Sequence, residues 1–165
     1  IEIAWSEHPG WPNLVRDLKK YFPNVHLGVA SLTTESALKT VACLDIYYAM
    51  TPFWDLSLQK KARELNQLLI PGVFSPSEVQ HAKNFGCQLV KLFPASSLGI
   101  NYWSQLHEPL RSLPSVIAAG GMRPQDVLPW LSKGYDAISL GRSLFKNGQI
   151  NSSLKQLILT LKQQS

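Results

Sequence analysis

Gln88-Leu89-Val90-Lys91-Leu92-Phe93-Pro94 is an apolar run with a single charge inside it. Side chains alternate along a strand, so Leu89, Lys91 and Phe93 share one face while Val90 and Leu92 share the other. Lysine aside, both faces are apolar, which is the pattern of a parallel strand buried on both sides rather than of a half-exposed antiparallel one. The same kind of run recurs at residues 1–5, 25–31, 46–50, 68–73, 115–121 and 137–141. The run starts lie roughly 20–27 residues apart, the length of one strand, one helix and two short loops.

The intervals carry helix signals. Residues 12–21 begin with Pro12, which suits a first helical turn. Thr33-Thr34-Glu35-Ser36 offers capping hydroxyls before a run to Val41. Ser75-Pro76-Ser77-Glu78 has the form of a capping box, with Ser75 as N-cap and Glu78 three residues on. Pro124-Gln125-Asp126 opens a further helix that Gly134 ends. Residues 152–163 form a last one, with Leu154, Leu157, Ile158 and Leu161 on its apolar face. No linker, low-complexity tract or charge block interrupts this series, so residues 1–165 are expected to be a single domain. The fold expected is α/β, a (β/α)8 barrel, with an open doubly wound sheet as the rival. The even repeat favours the barrel, as does the placing of polar residues at the carboxyl ends of several strands. A parallel barrel closes with eight units and the pattern supplies seven; the chain starts without Met inside a strand-like segment, so a first β/α unit of roughly 20–30 residues is expected upstream.

Composition excludes several classes. Of the 165 residues, 45% are apolar and 16% charged, the balance of a globular protein rather than a disordered chain. No apolar run reaches the roughly 18 residues a membrane helix needs, and no secretory signal pattern opens the chain. Cys43 and Cys87 stand alone in separate segments, which predicts two buried free thiols rather than a disulfide or zinc site. A cytoplasmic location is the corresponding expectation. The net charge of +5 comes from scattered Lys and Arg without interleaved stacking residues, so nucleic acid is not an expected partner. An anionic small substrate suits the charge better. His8, His26, His81 and His107 lack the spacing of a metal site; His26 reads as a core residue.

Three features can carry chemistry. Lys91 is the first. An amine in a dry interior loses hydration, which favours the neutral form that attacks carbonyls; a lysine snorkelling to water from a strand end is the plainer alternative. Glu2 is the second. It interrupts Ile1-Glu2-Ile3-Ala4-Trp5 and shares a face with Ala4. A carboxylate facing a barrel interior is costly unless paired or functional, and it could move protons; a frayed, exposed terminus is the alternative. Two loops make the third. Ala119-Gly120-Gly121 and Gly141-Arg142-Ser143 follow the last two runs, where barrels frequently hold phosphate. Glycines admit backbone N–H groups to an anion, and Arg142 adds a cation able to bind in two-pronged fashion. Tight turns alone would also explain the glycines. Trp103 follows Lys91 closely enough to edge a pocket.

These residues together resemble the KDPG/KHG aldolases, which act on 2-dehydro-3-deoxyphosphogluconate and 4-hydroxy-2-oxoglutarate. The resemblance covers residues 1–145. Its most specific part is Ile70-Pro71-Gly72-Val73, then Ser75-Pro76-Ser77-Glu78, then Val90-Lys91-Leu92-Phe93-Pro94-Ala95, against the family's I-P-G-V/I, T/S-x-x-E and K-F/L-F-P-A. Ile1-Glu2-Ile3 matches the family's acid/base strand, Gly120-Gly121 its phosphate-loop glycines and Ser143 the serine of its G-G-S segment. The resemblance implies Lys91 as a Schiff-base lysine and Glu2 as proton shuttle. Ser31, Thr51, Pro71, Phe93, Gly120, Gly121, Arg142 and Ser143 are implied as the substrate and phosphate site. It implies a homotrimer without metal or organic cofactor. The departures are specific: Ser6 stands where the family's T-L/F-R-T has a substrate-holding arginine, G-A-G-T becomes Gly28-Val29-Ala30-Ser31, S-P-G becomes Thr51-Pro52-Phe53, T-G-G-I becomes Ala119-Gly120-Gly121-Met122 and G-G-S becomes Gly141-Arg142-Ser143. Losing the arginine removes a charge-assisted contact worth about 1.5–3 kcal/mol, and Arg142 is a cation that could replace it. The function expected is a class I lyase releasing pyruvate and an aldehyde. The alternatives are a phosphosugar isomerase-type barrel in which Lys91 is only an electrostatic clamp, and a non-catalytic aldolase-derived barrel.

Overall fold

All seven apolar runs contain a strand, and the pattern of burial within them follows from register. The computed structural model describes residues 1–146 and 148–163, and the chain divides into two units, Ile1–Val73 and Phe74–Ser165. In the first unit β1 (Glu2–Ala4), β2 (Gly28–Ala30), β3 (Tyr48–Met50) and β4 (Leu69–Ile70) make one sheet in that order. All its pairings are parallel. Helices α1 (Trp11–Tyr21), α2 (Glu35–Cys43) and α3 (Leu56–Glu64) connect the strands. A short β5 (Gly72–Val73) follows Pro71, whose missing N–H interrupts the 68–73 run.

One row of the sheet, Ile3, Val29, Ala49 and Leu69, is in register across all four strands. It packs in a core with Val15 of α1, Leu38 and Val41 of α2, and Leu58 and Ala62 of α3. Alternation therefore turns the neighbouring row, Glu2, Gly28 and Tyr48, to the face away from the helices. Thr34 caps α2 by accepting the Ala37 N–H at 3.2 Å. Asp55 does the same for α3, accepting from Leu58 at 2.9 Å, and that amide with the Ser57 hydroxyl, against a smaller opposing effect of burial, holds its carboxyl below the usual range.

The second unit contains α4 (Pro76–Phe85), β6 (Leu89–Leu92), short helices α5 (Ala95–Leu98), α6 (Tyr102–Gln105) and α7 (His107–Leu110), then β7 (Ser115–Ala119), α8 (Val127–Ser132) and β8 (Ala137–Ser139). A hairpin of β9 (Phe145–Lys146) and β10 (Gln149–Ile150) leads to α9 (Ser152–Gln163). Strands β6, β7 and β8 are parallel and in register. Asp136 pins the start of β8 to β7, its carboxylate accepting the Val116 N–H at 2.7 Å and its own N–H donating to the Val116 carbonyl at 3.1 Å. The predicted capping box forms in full: the Glu78 N–H donates to the Ser75 hydroxyl, and the Glu78 carboxylate accepts from the Ser75 N–H and hydroxyl and from the Phe74 N–H.

Several local expectations change. Cys43 is exposed and Cys87 half-buried, so the thiols are outside disulfides but not core residues. His26 precedes β2, is exposed, and stacks on Tyr47 with ring centroids 4.5 Å apart. Trp103 is buried in the second unit's core rather than edging a pocket. The expected helix at Pro124 begins as a 3-10 turn, Pro124–Asp126, before α8.

Candidate active site

Strand β6 places Lys91 between fully buried Val90 and Leu92, and the lysine itself is only 5% exposed. It pairs in register with buried Ile117, which in turn pairs with Ala137. The row beside Lys91 is therefore apolar, with Ser115 and Ser139 on the same face one row to either side. The Lys91 Nζ lies 5.2 Å from the centroid of the Phe93 ring, two residues along the same face, within range for an aromatic face to stabilise a cation.

The loops beyond β6 and β7 meet through close backbone approach. The Ser96 N–H donates to the Gly120 carbonyl at 3.2 Å. Gly120 and Gly121 have φ of +87° and +77°, in the left-handed region. A side chain on Gly120 would sit 2.9 Å from the Phe93 ring and 3.0 Å from the Pro94 Cα, and one on Gly121 2.0 Å from the Ser96 hydroxyl. Both glycines are thus required by conformation and by space. The loop after β8 joins this one: the Ser143 hydroxyl donates to the Met122 carbonyl at 2.6 Å, and the Asn151 amide reaches the Ser143 carbonyl at 3.4 Å. Arg142 is exposed beside it. Gly120, Gly121, Arg142 and Ser143 therefore belong to one loop cluster. The Ser143 proton is committed to Met122, so that hydroxyl offers an incoming anion no hydrogen bond until it rotates.

In the first unit, Glu2 is half-buried on the sheet face opposite the helices, with Ala4, exposed, on the same face. Its neighbours in the row are Gly28 and Tyr48. The Tyr48 ring fills the space a Gly28 side chain would take, with Cζ 2.1 Å from that ideal position. Burial raises the Tyr48 phenol above its ordinary value, and the Glu2 charge adds to the shift. Ser31 lies just beyond β2, exposed, at φ +61°. Thr51 lies just beyond β3, 1% exposed; its hydroxyl donates to the Phe53 carbonyl at 2.6 Å and accepts the Gly72 N–H at 3.2 Å. Those two bonds make Thr51 the tie that folds Gly72 back on Pro52, where a side chain on Gly72 would meet backbone at 2.3 Å. Pro71 is buried between β4 and β5. Tyr48 was not singled out in sequence because it reads as one more member of an apolar run. The available signal is Gly28 in the run before it, a gap that a ring can occupy.

Among the described residues no group of three or more His, Cys, Asp and Glu side chains could hold a metal ion. No helix among them is long and apolar enough to cross a membrane.

The model of the KDPG and KHG aldolases matches residues 2–160. The chain belongs to the KDPG and KHG aldolase family. The 2-dehydro-3-deoxy-6-phosphogalactonate aldolase of Escherichia coli (strain K12) is 26% identical over 150 residues, covering 90% of this chain and 73% of that protein. The native KDPGal structure superposes with a TM-score of 0.82 at 22% identity, covering 99% of this chain and 81% of the other. The KDPG aldolase of Legionella pneumophila, with pyruvate captured as a covalent carbinolamine, gives a TM-score of 0.78 at 20% identity over 97% of this chain and 77% of that one. The fold is therefore the (β/α)8-barrel type of these aldolases, and not an open doubly wound sheet. As a member of the family the chain is an aldolase, a lyase.

Proposed function

We propose that this aldolase works through a Schiff base on Lys91 and cleaves a 2-keto-3-deoxy sugar acid phosphate to pyruvate and an aldehyde phosphate. The observation that carries the reading is the burial of Lys91 in an apolar strand face, within the family motif. A buried ammonium loses hydration, which favours the neutral amine needed for attack. The neutral amine adds to the 2-keto carbon to give a carbinolamine. Glu2, in the family's acid/base position, is ionised at the outset, takes up the proton the Lys91 ammonium gives up on becoming neutral and passes it to the departing hydroxyl, and water leaves as the iminium forms. The iminium accepts the electron pair of the breaking C3–C4 bond while Glu2 removes the C4 hydroxyl proton, so the aldehyde leaves and an enamine remains. Protonation of the enamine and hydrolysis release pyruvate and restore the amine. The carbinolamine captured in the Legionella relative is the chemistry this sequence of steps needs.

The substrate side rests on the loop cluster of Gly120, Gly121, Arg142 and Ser143, whose glycine backbone and exposed guanidinium suit a phosphate. Ser31, Thr51, Pro71 and Phe93 complete the proposed substrate contacts, Thr51 by shaping the backbone around it. The relative named for the phosphogalactonate substrate favours that compound over 4-hydroxy-2-oxoglutarate. The two units form one catalytic domain in this reading, and the protein is a cytoplasmic homotrimer.

Borohydride reduction in the presence of pyruvate tests the mechanism. The expected result is a stable pyruvate adduct mapped to Lys91; intact protein without an adduct overturns it. Cleavage assays with the gluconate and galactonate phosphates and with 4-hydroxy-2-oxoglutarate then rank the substrates. Sedimentation and a single cooperative unfolding transition test the trimer and the one-domain reading.

A further inference from the structure

We propose that Tyr48 is a positioning residue for Glu2, its phenol reaching across Gly28 to orient the carboxylate and to keep it ionised. This rests on the reading of Glu2 as the proton shuttle.

Register puts the three residues in one row: Glu2 opposite Gly28 and Gly28 opposite Tyr48 on adjacent parallel strands. Paired residues of neighbouring strands share a face. Adjacent strands lie about 4.8 Å apart, so two strands separated by a third meet through side chains only when the middle one leaves room. Gly28 leaves that room. The positions nearest to its absent side chain are all at the phenol end of the Tyr48 ring, Cζ at 2.1 Å, Cε2 at 2.3 Å and Cε1 at 2.6 Å. The phenol end of the Tyr48 ring thus lies over β2, at the place a Gly28 side chain would take. The Glu2 charge adds, after burial, to the upward shift of the phenol. A phenol O–H is a donor to a carboxylate and has no charge to lose near neutrality, so it favours the ionised carboxylate and limits its rotamers.

Of the residues in register with Glu2 in this row, Gly28 and Tyr48, Tyr48 is the titratable one. Gly28–Ala30 of β2 has no titratable side chain, and β3 offers only Tyr48. On α1, which packs against the opposite face of the sheet, Lys19 pairs with Asp45 at 3.1 Å and Arg16 bonds to Asn13 at 2.9 Å; Asp17 and Lys20 are the remaining charges of that helix. His26 stacks on Tyr47.

The experiment compares the full chain with Tyr48→Phe, Gly28→Ala and Glu2→Gln. Tyr48→Phe keeps the ring and removes the donor. Gly28→Ala keeps the donor and displaces the ring. Both are expected to move the acid limb of kcat/KM upward by about 0.5–1 pH unit, and to lower kcat by roughly tenfold with little change in KM. Carbon-13 NMR titration of labelled Glu carboxyl groups, assigned by Glu2→Gln, should show Glu2 titrating at higher pH in Tyr48→Phe. That readout does not depend on turnover. A Glu2 titration and pH profile unchanged in Tyr48→Phe overturn the proposal. A parent protein that fails to trap pyruvate instead overturns the aldolase mechanism, and with it the catalytic purpose of the pair; the carboxyl titration then tells separately whether Tyr48 acts on Glu2.

Discussion

The two units use the same device with different strictness. In the first, Gly28 gives its space to the Tyr48 ring on a neighbouring strand. In the second, Gly120 gives its space to the Phe93 ring, itself two residues from Lys91. In both, an aromatic ring lies against bare backbone beside the residue proposed to do chemistry. The difference is conformational. Gly120 has φ +87°, so a side chain there meets both a steric wall and an unfavourable backbone. Gly28 lies in an ordinary strand, so a side chain there meets only a movable ring. The second unit builds a rigid cradle, and the first leaves an adjustable contact.

The largest expected effect tests the second unit. Lys91→Met should abolish the borohydride-trapped adduct and lower kcat/KM by on the order of 10⁴-fold; residual trapping elsewhere on the chain would break the assignment. Glu2→Gln tests the first unit and should cost about 10²–10³ in kcat, by assay of pyruvate release. Gly120→Ala should destabilise by about 1–3 kcal/mol in denaturant unfolding through backbone strain alone, and by more than Gly28→Ala; equal costs would erase the contrast drawn above. Ser75→Ala, which removes a cap but touches neither glycine, should cost about 1 kcal/mol and leave kcat unchanged.

The smallest effect is a pH dependence. Burial pushes the Glu78 carboxyl up, but hydrogen bonds from the Phe74 and Ser75 N–H groups and the Ser75 hydroxyl, with His81 nearby, outweigh it and hold the group below its ordinary value. A depressed carboxyl contributes stability above its unfolded value and loses that contribution as pH falls through the folded value. Asp126 behaves likewise through its Arg123 hydrogen bonds. Acid titration of the melting temperature should therefore show a decline below the carboxylate range that Glu78→Gln makes shallower.

Much of the architecture was legible locally. The parallel strands announce themselves because residues buried on both faces leave no polar alternation. Ser75 and Glu78 announce a helix start because the donors they satisfy are three residues away. For helix α3 the repeat predicts a helix without marking its ends, although Asp55 followed by Leu58 and Ala62 at helical spacing marks its start; its Lys, Arg and Gln content dilutes the apolar stripe. The exposure of His26 and Cys43 was misjudged because apolar neighbours in sequence do not say which element covers a residue.

Spacing and residue type were enough to mark the strands, the capped helices, the lysine inside β6 and the glycines of the phosphate loops, because each depends on interactions within a few residues. The seating of the Tyr48 ring over Gly28 and the tie from Ser143 to Met122 depend instead on strand register and loop packing across 20 residues or more. Folding brings such groups within a few ångströms, and no short window of the chain encodes that separation.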